Sequence, residues 1–483
     1  MDTKRADHFT YGPILSKLIA FSMPVLAALL LQAMYGAVDL LIVGQFGESA
    51  DVSAVATGSN LMATLTNPIS SFAMGITILL GRLIGQREAE KGGEVAGAGV
   101  VLFAGIGIAL TVLLIVFTSS LARMMQVPEE ALSKTISYVR ICGGGMLIII
   151  SYNLIGSIFR GIGDSKTPLV TVAIACAANI FGDLLLVAVC HMGAAGAAIA
   201  TVAAQGISVL LSLVLIARKE LPFHFELKKV RFDRNISRKI TELGLPLAGS
   251  ELLVGVSFMV IQSLVNSLGL VPSAGIGVAE KVCAFIMLVP SSFMQSMAAF
   301  TAQNFGAGKR SRAFAALRYG IAASLAAGVL MFLIAYFRGD FLCGFFSRDS
   351  EVIAAGADYL KAYAIDCLLT AIFFVFAGYY NGMGMTRFVM LQGIVSAFGV
   401  RVPVSWLMSR VRPVSLFRIG LAVPCSSVLQ ILMCLIFLMH MNRLGMLKDV
   451  PEHDEQEFDA GAERKVQEKS FGGGNVPTRC SGK

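Results

Sequence analysis

Charge is scarce in this sequence. Of its 483 residues only 14% are Asp, Glu, Lys or Arg and 56% are hydrophobic, which gives a mean hydropathy of +0.74. A soluble domain carries about 25% charged residues. So few charges over such a length cannot keep a folded chain in water, and we expect this chain to fold in a lipid bilayer.

Motifs of enzymes and metalloproteins are also missing. The sequence contains no H-E-x-x-H, G-x-S-x-G or C-x-x-C, and most of its nine cysteines lie in apolar runs, where cysteine is a small hydrophobic residue. Its polar segments of about 24 and about 40 residues are shorter than a nucleotide-hydrolysing domain of at least ~50. We therefore expect that the protein is not an enzyme and that it has no cofactor and no metal other than Na⁺. If it drives a process that requires energy, we expect ion gradients rather than ATP to supply that energy.

Apolar stretches of membrane-spanning length are abundant. A helix needs roughly 20 apolar residues to cross the hydrocarbon core. Twelve stretches meet this length, six on each side of a basic linker. They lie near 18–46, 52–80, 95–118, 136–159, 168–190, 194–217, 242–268, 273–300, 314–337, 356–381, 388–409 and 416–440. The sequence therefore predicts an all-α polytopic membrane protein with twelve transmembrane helices.

Basic residues gather in alternate loops. Cytoplasmic loops carry an excess of Lys and Arg, and this pattern explains the net charge of +8 without a nucleic-acid partner. It predicts a multi-pass protein of the inner or plasma membrane with both termini in the cytoplasm. The basic clusters lie at 82–91, 160–166, 218–241, 309–318 and 443–448, and the exceptions on the opposite side are Arg410, Arg412 and Arg418.

The two halves of the chain repeat each other. Pro24 and Pro246 stand at an offset of 222 (246 − 24), and the octapeptide F-R-G-I-G-D-S-K at 159–166 matches Y-N-G-M-G-M-T-R at 380–387 at an offset of 221. A nearly constant offset over many positions indicates an internal duplication. Further pairs with these offsets are Gly47 with Gly269, Pro68 with Pro290, and Gly85 with Gly306.

The duplication predicts the architecture. Each half holds an even number of spans, so a pseudo-two-fold axis along the membrane normal relates the halves. We expect two six-helix bundles around a central cavity, which rocking would expose to each side in turn, as in a secondary transporter. The domains are a cytoplasmic tail at 1–13, a first bundle at 14–217, a cytoplasmic linker at 218–241, a second bundle at 242–447 and a disordered cytoplasmic tail at 448–483.

Two aspartates lie inside predicted spans of the first half. A charge at the bilayer centre costs at least about 2.5–3.5 kcal/mol on insertion scales, so each one needs a reason. Asp39, Asp183 and Thr201 lie about seven or eight residues from the outer ends of their spans, which places all three roughly 10–12 Å deep. Asn179 lies one turn before Asp183 on the same helix face. We expect these four side chains to form one site.

This group of side chains suits two ions. Carboxylate, amide and hydroxyl oxygens are the ligands of a small hard cation such as Na⁺. Two neighbouring carboxylates in a medium of low dielectric can instead share a proton. The residues leave H⁺ and Na⁺ open.

Several of these motifs resemble the multidrug and toxic compound extrusion (MATE) family, over about residues 14–445. They are Pro24, Val38-Asp39 followed by Val43-Gly44, the Asn179…Asp183 run, and R-G-I-G-D-S-K-T-P at 160–168. The resemblance implies a V-shaped exporter that exchanges lipophilic, often cationic, drug-like compounds for H⁺ or Na⁺. It also implies that Asp39, Asn179, Asp183 and Thr201 form the cation site. We expect a monomer.

The second half lacks this acid pair. The repeat aligns Asp39 with Ile261 and Asp183 with Val404, so the duplicated positions are apolar. The acids that we expect to bind substrate there are Glu251 and Glu280. An alternative on the same fold is a flippase or exporter of a lipid-linked or anionic metabolite. Flippases tend to line their cavities with basic residues, whereas these candidates are mostly acidic.

Overall fold

The computed structural model describes residues 9–218 and 221–449. The predicted disordered tail lies outside the described residues from position 450 onward. The described helices are α1 Ile14–Phe46, α2 Ser49–Gly85, α3 Gly92–Met124, α4 Glu129–Gly144, α5 Met146–Gly161, α6 Lys166–Asp183, α7 Gly193–Arg218, α8 Arg234–Asn266, α9 Leu270–Ile286, α10 Leu288–Gly306, α11 Arg310–Phe337, α12 Gly339–Gly344, α13 Ser350–Gly382, α14 Thr386–Ser396, α15 Val402–Arg410, α16 Leu416–Gly420 and α17 Ala422–Arg443.

These helices form the predicted membrane fold. In the described part of the chain eleven helical stretches are long and apolar enough to cross a bilayer, and α4 and α5, bent by 51° relative to each other, make twelve when counted as one span. The prediction of an all-α protein of two six-helix bundles is confirmed.

Some helices begin before their apolar stretch. The eighth, α8, starts at Arg234 rather than near 242, because Asp233 caps it by accepting hydrogen bonds from the backbone N–H groups of Asn235 (2.8 Å) and Ile236 (3.0 Å). Such a cap satisfies donors that would otherwise lack a partner in the first turn. Hydropathy predicts which part of a helix lies in the lipid, whereas the capping residue determines where the helix begins.

Two helices straddle the halves of the molecule. The start of α1 packs Leu18 and Phe21 into a core formed mainly by residues of α10, α11, α13 and α17. The end of α1 packs Ile42 and Val43 into the core of the first bundle. Pro24 lies in the first part of α1, and proline removes one backbone hydrogen bond from a helix. A change at the far end of α1 can therefore reach the second bundle through one helix.

The duplicate helix α8 does the same in reverse. Its start contributes Ile240 to the core of the first bundle, and its end contributes Ile261 and Val265 to a core of the second. Pro246 lies between them. The repeat thus makes α1 and α8 equivalent, each beginning against the opposite bundle and ending in its own.

The bundles close on one another at the side that carries the linker. We call this the linker side, because Phe223 of the linker packs on Gly92 at the start of α3 there. The helices α2 and α8 approach closely: a Cβ on Gly244 would stand 2.4 Å from the carbonyl oxygen of Phe72, and a Cβ on Gly75 would stand 2.9 Å from the Gly244 nitrogen. Only glycine permits backbones this close.

Candidate functional site

The two aspartates of the first bundle lie against each other. Asp39 in α1 is 4% exposed and Asp183 at the end of α6 is 0% exposed, and their carboxyl groups are close enough that a proton on one of them would make a hydrogen bond to the other. A buried carboxylate that lacks a cation partner is costly, and two together cost more. Their pairing is therefore an arrangement that requires an ion or a proton.

The other two predicted side chains lie at the same place. The Thr201 hydroxyl on α7 donates to Oδ2 of Asp39 at 3.1 Å and lies 2.9 Å from the carbonyl oxygen of Ala197. Asn179 is 1% exposed and lies beside Asp39. Three helices thus bring all four side chains together. That they bind the coupling ion stays a prediction.

Several polar atoms in this group have unused hydrogen-bonding capacity. Asp39 Oδ1, both carboxylate oxygens of Asp183 and both polar atoms of the Asn179 amide are buried, and none of the described residues gives them a hydrogen bond. Each such atom costs about 1–3 kcal/mol when left unsatisfied. The described residues also place no lysine or arginine against either carboxylate. The donor set fits a small cation or a proton.

A small cavity adjoins the site. It has room for about one water molecule and is lined by Asn179, Thr201, Tyr35, Tyr152 and Gln205 among others. The Tyr152 hydroxyl accepts a hydrogen bond from the Gln32 amide. Tyr35, Tyr152 and Gln205 were not predicted from the sequence, because they come from three different helices and no spacing along the chain relates those helices.

Irregular helix turns mark both halves. A π-helical stretch, Leu184–Val189, begins directly after Asp183, and a second one, Ala397–Arg401, ends on Arg401. Such turns are rare and are frequent at functional sites. In each half a π-helical stretch therefore lies beside a buried ionisable residue.

The second bundle buries one acid and one base of its own. Asp366 in α13 is 1% exposed and Arg401 is 5% exposed, and each lies within the electrostatic reach of the other. Arg401 donates to the hydroxyls of Ser426 at 3.2 Å and Ser257 at 3.1 Å. Asp366 was not among the residues predicted from the sequence. The sequence nevertheless indicated it, because Asp366 is an acid inside the span predicted at 356–381.

The predicted substrate acids lie apart from the acid pair of the first bundle. Glu251 is exposed on α8 and Glu280 is half-buried in α9. Glu251 lies one turn beyond Leu247, on the face of α8 that holds Ile240 and Gly244 against the first bundle. It therefore lies just past the closure between the bundles, on the side away from the linker.

A polar stripe on α2 lies on the same side of this closure, and we call the space between the bundles on that side the gap. Asn60, Thr64 and Asn67 are exposed, and their spacing puts them on one helix face with Gly75. Since Gly75 packs against Gly244 of α8, this face is turned toward the second bundle. Polar residues at membrane depth face protein or water rather than lipid. The sequence carried this signal as a helical period, but the predicted site did not include these residues.

Two repeated bundles, with buried acids in one and a polar gap between them, define a multi-pass membrane transporter. The MatE family model matches residues 24–185 and again residues 246–407. The chain belongs to the MATE family. The two matches begin at an offset of 222 (246 − 24), the same as that of the proline pair.

Known proteins resemble this chain over most of its length. It is 27% identical over 406 residues to the probable multidrug resistance protein YpnP of Bacillus subtilis (strain 168), covering 84% of this chain and 91% of that protein. It is 22% identical over 409 residues to the multidrug export protein MepA of Staphylococcus haemolyticus (strain JCSC1435), covering 85% and 90%. A solved structure of a MOP superfamily transporter from Pyrococcus furiosus matches with a TM-score of 0.87 at 19% identity, covering 92% of this chain and 99% of that one.

Proposed function

We propose that this protein is a secondary active multidrug exporter that exchanges lipophilic, often cationic, compounds for H⁺ or Na⁺ by alternating access. The observation that carries the proposal is the buried Asp39–Asp183 pair with its unsatisfied oxygens. Its relatives named as multidrug proteins support the substrate class. The basic loops support a position in the inner or plasma membrane with the linker side in the cytoplasm.

The acid pair couples the ion to the movement of a helix. Binding H⁺ or Na⁺ removes the repulsion between the two carboxylates, which lets the end of α1 settle against α6 and α7. Loss of the ion restores the repulsion and favours displacement of α1. Since the start of α1 packs in the second bundle, this displacement changes how the two bundles meet.

The gap between the bundles holds the substrate. Its first wall carries the amides and hydroxyl of Asn60, Thr64 and Asn67, and its second wall carries the exposed carboxylate of Glu251. An acid with no basic partner attracts a cationic compound once water is excluded. The apolar helix surfaces around it bury the rest of a lipophilic molecule.

Transport by purified protein in liposomes tests the proposal. Ethidium serves as the lipophilic cation, pH and Na⁺ gradients are imposed separately, and the membrane voltage is clamped. We expect ethidium movement to follow one of the two gradients and to be lost in Asp39→Asn and Asp183→Asn. Glu242→Gln is the control, because this exposed acid lies on the linker side.

Two results would contradict the proposal. One is that ethidium fails to move under either gradient with protein that is folded and correctly inserted. The other is that the same vesicles move an anionic lipid-linked sugar instead, which would assign the fold to a flippase.

A further inference from the structure

Arg82 joins the two bundles at the linker side. It lies near the end of α2, and its Nη2 donates to the carbonyl oxygen of Met383 in the second bundle at 2.5 Å. Its guanidinium also lies 5.6 Å from the ring centroid of Phe305 in α10. The next residue after Met383 is Gly384, whose φ is +74° and where a Cβ would stand 2.3 Å from Arg82 Nη2. The guanidinium therefore fills the space that a side chain at 384 would take.

Gln303 makes the corresponding contact in the opposite direction. It lies in α10, it is fully buried, and its Nε2 donates to the carbonyl oxygen of Gly161 in the first bundle at 3.1 Å. A Cβ on Gly163, whose φ is +84°, would stand 3.2 Å from the same Nε2. Each bundle thus extends one long side chain to a glycine loop of the other.

These two contacts have equivalent donors and equivalent receiving loops, although the accepting carbonyls differ by one position, because Met383 aligns with Ile162 and Gln303 donates to Gly161. Gln303 follows Arg82 at an offset of 221 (303 − 82), and Gly384 follows Gly163 at the same offset (384 − 163). The two loops are the repeated octapeptides of the sequence, to which the proposed ion and substrate sites give no role. The pseudo-two-fold axis relates both donors and both receiving loops.

Between the two contacts the helices cross without intervening side chains. A Cβ on Gly85 would stand 2.1 Å from the Gln303 carbonyl oxygen, and a Cβ on Gly306 would stand 2.2 Å from the Arg82 carbonyl oxygen. Backbones packed this closely exclude any passage along the crossing of α2 and α10. Separation of the bundles on the linker side must break both hydrogen bonds.

We propose that Arg82 and Gln303 form a reciprocal latch that keeps the transporter closed on the linker side, with Gly163 and Gly384 as its two receiving positions. The proposal rests on the alternating access described above and adds the residues that set the balance of conformations. The two hydrogen bonds of the latch are unequal in strength. A hydrogen bond from a charged donor stabilises more than one from a neutral amide, so Arg82 holds the larger share.

Distances between spin labels test the latch without any transported substrate. Labels are attached to Lys166→Cys and Arg387→Cys, equivalent exposed positions on the linker side of each bundle, in a protein freed of its own cysteines. We expect one short distance for the parent protein. Arg82→Met should add a longer distance and raise the ratio of open to closed molecules about tenfold or more. Gln303→Met should have the same effect but smaller.

A second pair of variants leaves both donors in place. Gly384→Ala should displace Arg82 and open the linker side, whereas Gly445→Ala should not, because Gly445 has the same positive φ (+72°) but no atom within 4 Å of its Cβ position. The control separates the loss of the latch from backbone strain. Arg318→Met, which removes an exposed arginine of α11, controls for loss of basic charge.

The results separate the latch from the transport function. Distances that stay unchanged in Arg82→Met, Gln303→Met and Gly384→Ala, with all three proteins monodisperse, would overturn the latch. A longer distance in these variants would support it even if no ethidium moved, and that combination would place the failure in the proposed substrate or coupling ion.

Discussion

Thr201 and Asp39 are 162 positions apart in the chain, and the hydroxyl of the first donates to the carboxylate of the second at 3.1 Å. The contact joins α7 to α1 at the level of Asp183. Thr201 is neutral, as is Asn179, so it satisfies one carboxylate oxygen without supplying the positive charge that the two acids lack. The four side chains of the site are therefore in place, but none of them balances the negative charge of the two carboxylates.

Asp39→Asn tests the charge of this site. The amide keeps the shape of the side chain and removes a buried charge, so folding and insertion should be preserved. Gradient-driven efflux should fall by at least about tenfold, the usual scale for a perturbed ion site, because the amide can neither hold a proton nor balance Na⁺. Efflux from proteoliposomes measures this, with Thr201→Ser as the matched control that keeps the hydroxyl. Normal efflux by well-expressed Asp39→Asn would show that the ion binds elsewhere.

Glu251→Gln tests the division of labour between the halves. Glu251 lies in the gap and not against the acid pair, so the substitution should weaken the export of cationic compounds while the dependence on the ion gradient survives. Initial rates for one cationic and one neutral compound measure the effect. Ion-to-drug stoichiometry gives the opposing result: if Glu251→Gln lowers it while Asp39→Asn leaves it unchanged, coupling belongs to the second half.

Asp51 should stabilise the end of the first bundle that lies away from the linker. It is 5% exposed, pairs with Lys134 of α4 at 2.7 Å and accepts the N–H of Ala194 at the start of α7 at 3.0 Å. Asp51→Ala should lower the free energy of unfolding by about 2 kcal/mol, seen as a lower melting temperature in detergent. Lys134 has a second partner, Glu48, and the Glu48 side chain is 78% exposed. Glu48→Ala should therefore lower the free energy of unfolding by less than about 1 kcal/mol. Equal losses in both variants would contradict this account.

Labelling of single cysteines tests the orientation. Lys228 lies exposed in the linker, and Leu270, at the start of α9 on the side away from the linker, is 85% exposed. We expect an impermeant maleimide to label Leu270→Cys in intact cells and Lys228→Cys only after the membrane is opened. The reverse pattern would place the linker outside and overturn the cytoplasmic position of both termini.

The sequence determined the class of fold, because hydropathy depends on composition within one stretch of chain. The twelve spans, the duplication and the four residues of the acid site could all be predicted. The acid site could be predicted because depth in a bilayer follows from counting residues along a helix, at a rise of about 1.5 Å each. Asp366 carried the same kind of signal as Asp39.

Only the tertiary structure decided which distant residues meet. Arg82 and Met383 are 301 positions apart, and no spacing along one helix indicates which loop of the opposite bundle a side chain will reach. Three further features depend on how the two bundles pack. They are the contacts of α1 and α8 with both bundles, the closure at Gly75 and Gly244, and the gap beside Glu251. Packing depends on the shapes of both surfaces at once, and the sequence of either half contains only one of them.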